Sequence, residues 1–579
     1  MTMQPWPTPF WPPGVRREID GYDLPLPFLL DNAADRYPDR VYTLFSDAGR
    51  TYAQVRNTAD RIAAFLHGRG IRKGDPVAIF LPNLPHYPPI FFGVLKAGGV
   101  CVTCNPLYTA GELRHQLSDS GATALFCMDH PRFYPVAVEA LRGTAVETVV
   151  FCNVRSYLPK LKGLIGGLLG KIPKAGRHEP GHVDFDEAVA RSEARPPNLD
   201  IMPSEDPAVI LYTGGTTGVP KGAALTHSNF VFDVMALDEW ARLVHEPGKP
   251  PERFRRGGFN CYLGVLPWYH SFGLTCAMLS ACASGSRLIC VPDPRAGDPP
   301  FTEVLEIVQK HRPTLMPAVP TIFVAFTNHR DIERYDVSSI MGCFSGGAPL
   351  PPEVCRRFEA KTGAVVYEGY GLSETAPAIS ANPTSVEGRR IGSVGFPLPN
   401  TDIKILDVEN GLRELPRGED GEIAASGPQV MREYWNRPED TRQAMRDIDG
   451  RRFFLTGDIG HIDEDGYIII TDRKKDMIIV GGFNVYPREV EDILYTHPKV
   501  ALVAVVGVPD EKSGERVKAF IQLKPGETAT EAEIIEFAKD RMAAYKRPRM
   551  VEFRDSIPVS PVGKVLRRVI RDEERRKRM

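Results

Sequence analysis

The feature that most narrows the fold is an alternation of two periodicities beginning near residue 51. Tyr52, Val55, Ala59, Ile62 and Leu66 recur at the spacing of a helix with one buried face, and the run stops near Gly68. The apolar strand VAIFL follows. The pair repeats with a helix in HYPPIFFGVLKAGG, a strand at Cys101, a helix start at Thr109 with Glu112 three residues on, and the strand ALFC. Such alternation predicts a parallel, doubly wound α/β sheet. The rhythm returns in YLGVLP, RLICV, TLMPAV and IMGCF, separated by FTEVLEIVQKH and PEVCRRFEAKTG, so two related layers are expected. At 579 residues the chain exceeds one core, and about two to four domains are expected.

Between about 385 and 470 the helical period fades into short strands such as IKILD and GEIAAS, which predicts a β-rich subdomain. After TDRKKD the order reads strand, helix, strand, strand, helix, strand, including VALVAVVGV, VKAFIQL and a helix opened by Thr530 with Glu533. The charged DRKKD then marks a boundary between 1–474 and an α+β unit at 475–579; a plain surface turn is the alternative. A composition of 42% hydrophobic and 25% charged residues is that of a globular chain, and a net charge of −2 supplies no field for nucleic acid. Ten cysteines, none beyond Cys355, fit a reducing cytoplasm, and Cys101 and Cys104 in VCVTC read as small core residues rather than zinc ligands. The proline-rich start MTMQPWPTPFWPPGVRRE reads as an irregular arm. No run is long and apolar enough to span a bilayer, so membrane contact would be peripheral, at the inner face. PKLKGLIGGLLGKIPK, residues 159–174, sets four lysines around an apolar centre and suits an interface, or a surface loop covering its own domain. The tail from Lys564 carries a charge of +5, read as a solvated helix face able to attract phosphate groups or anionic lipid. Oligomeric state is left open, a homodimer included.

AVILYTGGTTGVPKG, residues 208–222, opens an apolar strand into Thr213, Gly214, Gly215, Thr216, Thr217, Gly218 and Lys221. Glycines let backbone N–H groups approach phosphate oxygens, threonine hydroxyls add donors and the lysine adds charge. A P-loop would need Gly before the lysine and Ser or Thr after it, but Pro220 and Gly222 stand there.

Downstream lie PWYHSFG at 267–273, SGGAP at 345–349, YEGYGLSET at 367–375, LTGDIG at 455–460, DRKKDMIIVGGFNVYPREVE at 472–491 and PVSPVGK at 558–564. In this order the set resembles the adenylate-forming superfamily from about residue 30 to 570, and within it bacterial long-chain fatty-acid–CoA ligases. The resemblance implies ATP- and Mg2+-dependent activation of a medium- or long-chain fatty acid through an acyl-adenylate, then transfer to CoA. Delivery of the adenylate to a carrier protein, a CoA ligase for an aryl or short-chain acid, and a non-catalytic protein retaining the fold are the alternatives. Absence of an insertion after Gly481 and Gly482 favours CoA, and retention of the charged motif residues speaks against the non-catalytic case.

The resemblance also assigns roles. Thr213 to Lys221, Thr217 included, would wrap the outer phosphates of ATP, and Glu374 with Thr213 would hold Mg2+. Gly346, Gly347 and Ala348 would line the adenine, Tyr370 stack on it and Glu368 meet its amino edge, with Gly371 and Thr375 completing that wall. Asp458 would take the ribose hydroxyls and Arg473 ribose or phosphate. Lys564 would bridge the substrate carboxylate and α-phosphate, which requires the terminal unit to close, turning about Lys475. Gly482 would line the CoA channel. His270 is read as shaping the carboxylate end of the pocket rather than as a base, and Trp268 and Phe272 as pocket wall or core. Gly215 stands where many superfamily members carry Ser, a substitution common among fatty-acyl-CoA ligases.

Overall fold

The computed structural model describes residues 6, 8–159, 165–166, 172–213, 220–241, 260–409, 411–481, 483–510, 513–539, 541–560 and 564–577. Among them the strands form four sheets. The first runs Glu433–Tyr434, Lys221–Thr226, Pro207–Thr213, Val100–Thr103, Pro76–Phe80, Ala124–Met128, Thr148–Cys152, Val183–Asp184. The second runs Phe396–Pro397, Ala378–Ala381, Val365–Gly371, Gly342–Ser345, Leu315–Ala318, Cys261–Gly264, Arg287–Cys290, Val41–Phe45, Ala48–Thr51. Both interiors are parallel, as the alternation predicts. Three of their four edges are antiparallel, which the parallel expectation did not include; the edge strand Val183–Asp184 pairs parallel.

The two layers meet on helices that are apolar nearly all round. In Tyr87–Lys96 every residue from Tyr87 to Leu95 is buried, as a helix enclosed on all sides must be. It packs on Tyr52–Gly68, whose start is closed by a Thr51/Gln54 capping box. The approach depends on Gly93, where a Cβ would sit 2.7 Å from Ile62 Cγ2. The expected Thr109/Glu112 capping box is also present. Cys101 and Cys104 are buried free thiols, their ionisation suppressed by desolvation.

The stretch expected to be β-rich holds the antiparallel order Asp402–Leu406, Gly421–Ser426, Arg451–Ile462, Met445–Ile448, with Ile468–Arg473 also on Arg451–Ile462. Two of its short strands leave it: Phe396–Pro397 edges the second layer and Glu433–Tyr434 the first. The proline-rich arm is fastened here. Trp11 meets Trp240 edge-on at 5.3 Å, the Trp6 indole donates to the Gly466 carbonyl at 2.9 Å, and Arg16 pairs with buried Glu239 at 2.9 Å.

The last sheet orders Phe483–Val485, Ile478–Val480, Gly514–Leu523, Val500–Asp510, with Met550–Phe553 on Gly514–Leu523. A leading hairpin and a final helix, Arg567–Arg576, exceed the expected element order. One face of this last sheet is contiguous with the core of the second layer. The tail helix is not simply a solvated cationic face, since Arg567 and Arg571 are engaged by carboxylates. Of residues 159–174, positions 160–164 and 167–171 lie outside the described residues.

Candidate active site

Strands Pro207–Thr213 and Lys221–Thr226 pair as a hairpin, with Thr213 opposite Lys221. The glycine-rich segment therefore springs from the end of a buried sheet; Gly214, Gly215, Thr216, Thr217 and Gly218 themselves lie outside the described residues. The Thr213 hydroxyl donates to the Lys221 carbonyl at 3.4 Å. The Lys221 ammonium pairs with Asp440 and lies 5.2 Å from the centre of the Tyr434 ring. The Tyr434 hydroxyl in turn donates to Glu374 Oε1 at 2.8 Å. Glu374 sits in the turn Ser373–Thr375 and is 8% exposed. Burial raises its pKa, and the Tyr434 hydrogen bond opposes that rise. Thr375 closes the turn, its hydroxyl donating to the Leu372 carbonyl at 3.1 Å.

Gly346, Gly347 and Ala348 follow the parallel strand Gly342–Ser345. Gly347 has φ +76°, and a Cβ on Gly346 would sit 3.2 Å from Phe272 Cζ. Phe272 thus packs against the glycine wall. Along Val365–Gly371, Glu368 and Tyr370 share a face by the two-residue repeat. The Tyr370 hydroxyl donates to Asp458 Oδ2 at 2.7 Å, and Asp458 Oδ1 pairs with Arg473 Nε at 2.8 Å. Antiparallel pairing sets Asp458 directly across from Arg473. Glu368 is buried and its pKa is pushed up to about 7 by desolvation, against the pull of Arg488. Gly371 is obligatory: a Cβ there would lie 1.7 Å from the Pro377 carbonyl oxygen.

Lys564 joins this group from the far end of the chain. Burial pushes its pKa down to about 8, with Arg473 as the next cause and Asp458 opposing. His270, on the other side, has its pKa lowered to about 4 by burial and then by Lys564. Its imidazole is neutral at pH 7 and only weakly basic, and its Nδ1 accepts the Phe272 N–H at 3.4 Å. Lys475 also lies in the field of Lys221 and Arg473, after burial the causes that lower its pKa. Trp268 is fully buried in the main core, edge-on to Tyr87 at 5.9 Å. Gly482 lies outside the described residues.

Two contributors carry no sequence signal of the kind that located the others: Tyr434 comes from a two-residue strand and Asp440 from the short helix Pro438–Ala444. Arg488, on Pro487–Leu494, lies inside the motif at 472–491 but is assigned no role by it. Only the tyrosine between two already expected residues could have been sought, as a donor for a buried carboxylate. The assembled cleft gathers Lys221, Arg473, Lys475 and Lys564 with Glu374 and Asp458. Its cations suit a polyphosphate, a buried acceptor such as Asp458 suits vicinal hydroxyls, and a glycine wall suits a flat ring.

Known proteins share this sequence pattern and fold. Residues 30–435 match the family described as AMP-binding enzyme, and 489–564 the AMP-binding enzyme C-terminal domain. The chain is 40% identical over 569 residues to a long-chain-fatty-acid–CoA ligase of Bacillus subtilis (strain 168), covering 96% of each chain. It is 37% identical over 556 residues to one of Escherichia coli O6:H1, covering 95% of this chain and 94% of the relative. Among solved structures, the anthranilate CoA ligase AuaEII in complex with anthranoyl-AMP superposes with a TM-score of 0.83 at 26% identity, covering 96% of this chain and 99% of that one. ATP-bound MatB from Rhodopseudomonas palustris gives 0.78 at 30% identity, over 94% and 98%. Sequence and fold agree, and the chain belongs to the AMP-binding enzyme family.

Proposed function

We propose that this protein activates a long-chain fatty acid as its acyl-adenylate and transfers the acyl group to CoA. The observation that carries the reading is the convergence of Lys564 with Arg473, Asp458 and His270, from segments nearly 300 residues apart. Likeness to the fatty-acid–CoA ligases over nearly the whole chain favours a long aliphatic acid over an aryl or short one.

The substrate carboxylate is ionised at neutral pH and needs no base; the obstacle is its approach to an anionic phosphate. Lys564 lowers that barrier by sitting between carboxylate and α-phosphate, while Lys221 and Arg473 offset charge gathering on the phosphates. A carboxylate oxygen bonds to the α-phosphorus and pyrophosphate leaves. Asp458 would accept the ribose hydroxyls, releasing Tyr370 to lie along the adenine between the Gly346–Ala348 turn and Glu368. Glu374 and Thr213 offer hard oxygens to Mg2+, and a buried carboxylate with one oxygen held by Tyr434 gains from a cation beside the other. When bound there, Mg2+ would neutralise phosphate charge. The CoA thiol then attacks the acyl carbon, AMP departs and one proton is released. For this step the 475–579 unit would turn about Lys475, withdrawing Lys564 and bringing Gly482 to the pantetheine. Contact of residues 159–174 with an anionic membrane face belongs to the same reading, supported by four lysines around an apolar centre.

The test is purified protein with ATP, Mg2+, CoA and a panel of carboxylic acids, scored for AMP and acyl-CoA. Equal yields of both, greatest with long aliphatic acids, are expected. No acyl-CoA with any aliphatic acid, or adenylate that CoA never discharges, would reject the reading.

A further inference from the structure

The DRKKD segment carries more buried charge pairing than a turning linker requires. Asp472 belongs to strand Ile468–Arg473, opposite Ile459, so its backbone is fixed to the 1–474 body. Its carboxylate is 1% exposed and reaches across to the terminal unit twice. Oδ2 accepts the Arg488 backbone N–H at 2.8 Å, and Oδ1 accepts Arg567 Nη1 at 3.2 Å as well as the Arg473 N–H at 2.7 Å. Arg488 is the second residue of helix Pro487–Leu494, whose own N-cap residue, Tyr486, supplies no side-chain acceptor. Asp472 therefore caps that helix from outside the unit, a carboxylate at the positive end of a helix. The Arg488 guanidinium adds to the join by donating to the Ile470 carbonyl and facing buried Glu368 on the nucleotide wall.

Arg567 connects this join to Lys564. Within the unit it pairs with Glu491 and, at 3.4 Å, with Asp476, so Asp472 is the partner that ties it to the body. Lys564 lies three residues before it, its carbonyl accepting the Ser560 N–H at 2.7 Å and its N–H donating to Ser560 Oγ at 3.0 Å. Fixing Arg567 therefore restrains the backbone at Lys564.

We propose that Asp472 is a positioning residue, an orientation latch that caps helix Pro487–Leu494 and grips Arg567 only while Lys564 is delivered to the cleft, and lets go when the unit turns for thioester formation. This rests on the two-step reading above. Once the unit has turned, the Glu491 and Asp476 pairs travel with it, whereas the Asp472 bonds and the Arg488 bond to the Ile470 carbonyl part. The latch thus acts on one half-reaction.

Asp472→Asn in the full-length protein tests it. Because a buried carboxylate loses its charge-assisted bonds, ATP–pyrophosphate exchange with a long-chain fatty acid should fall about 10- to 100-fold. Acyl-CoA formation from supplied acyl-AMP and CoA should stay within about twofold, a split that a general structural role would not give. Equal losses in both halves, or no loss in either, would overturn the latch. Should the variant fail to fold, hydrogen exchange of the Arg488 amide in the wild-type protein decides. Protection with ATP that disappears with CoA and a non-reactive acyl-sulfamate analogue of the adenylate supports the latch, and protection unchanged between the two refutes it. Failure of wild-type exchange with every acid would reject the proposed function instead, and is read separately from the Arg488 amide.

Discussion

Lys564→Met separates a residue kept for chemistry from one kept for packing. In the folded chain the ammonium is withdrawn from water beside Arg473, and its pKa falls from 10.5 to about 8. That depression corresponds to at most about 3 kcal/mol against the charged, buried form. The folded pKa is below the unfolded one, so the penalty is complete at pH 7 and is relieved as pH rises from about 8 to 10.5. Methionine keeps the length and discards the charge. At pH 7 the variant should resist urea better than wild type by about 1–3 kcal/mol, and the gain should vanish near pH 10.5. Loss of a cation stabilising charge in the transition state should meanwhile lower ATP–pyrophosphate exchange about 100- to 1,000-fold. Acyl transfer from supplied acyl-AMP should change little. A variant less stable than wild type at pH 7, or one in which both half-reactions fall alike, would refute the reasoning. In the wild-type protein the same displacement predicts that kcat/KM for adenylation declines above about pH 8 as Lys564 loses its proton.

Other consequences are as direct. Tyr434→Phe strips buried Glu374 of its donor at 2.8 Å, which should cost about 1–3 kcal/mol in stability and raise the Mg2+ concentration needed for half-maximal adenylation; an unchanged Mg2+ requirement would detach Glu374 from the metal. Gly371→Ala should abolish soluble folded protein, because its Cβ has nowhere to go beside the Pro377 carbonyl, and normal melting would contradict the packing described. Asp233 is wholly buried, with Oδ2 accepting the Ala378 N–H at 3.2 Å and no hydrogen-bond partner for Oδ1 among the described residues. Its pKa is raised by desolvation, so the folded state keeps the proton and stability falls as pH climbs above the usual carboxylate range. Asp233→Asn should flatten that part of the stability profile; an identical slope would refute the assignment.

What the sequence could announce, and what it could not, follows from how each feature is encoded. The interior strands and the Thr109 cap are local: apolar runs and a three-residue spacing specify them, and the structure has them where the pattern lies. Of the site ends that sit on such elements, Tyr370 meets Asp458 in a hydrogen bond and Thr213 lies opposite Lys221. Tyr434 and Asp440 were illegible because a two-residue strand and a seven-residue helix carry no period to read. The antiparallel edges include pairings such as Glu433–Tyr434 with Lys221–Thr226, some 210 residues apart, which no window detects. The tail helix keeps Arg568, Arg575 and Arg576 exposed, as its +5 charge suggests, but the pairing of Arg567 and Arg571 was illegible for a related reason: the acids that engage them lie near residues 472–491, not in the tail.

The central claim is an acyl-adenylate formed first and discharged to CoA second. Rapid mixing of the protein with ATP, Mg2+ and a long-chain fatty acid, without CoA, isolates it. Close to one acyl-AMP and one pyrophosphate per active site should accumulate, and a chase with CoA should convert that acyl-AMP into acyl-CoA and AMP faster than the steady-state turnover. Acyl-CoA appearing with ADP in place of AMP, or an acyl-AMP pool that the chase leaves untouched, would contradict the account.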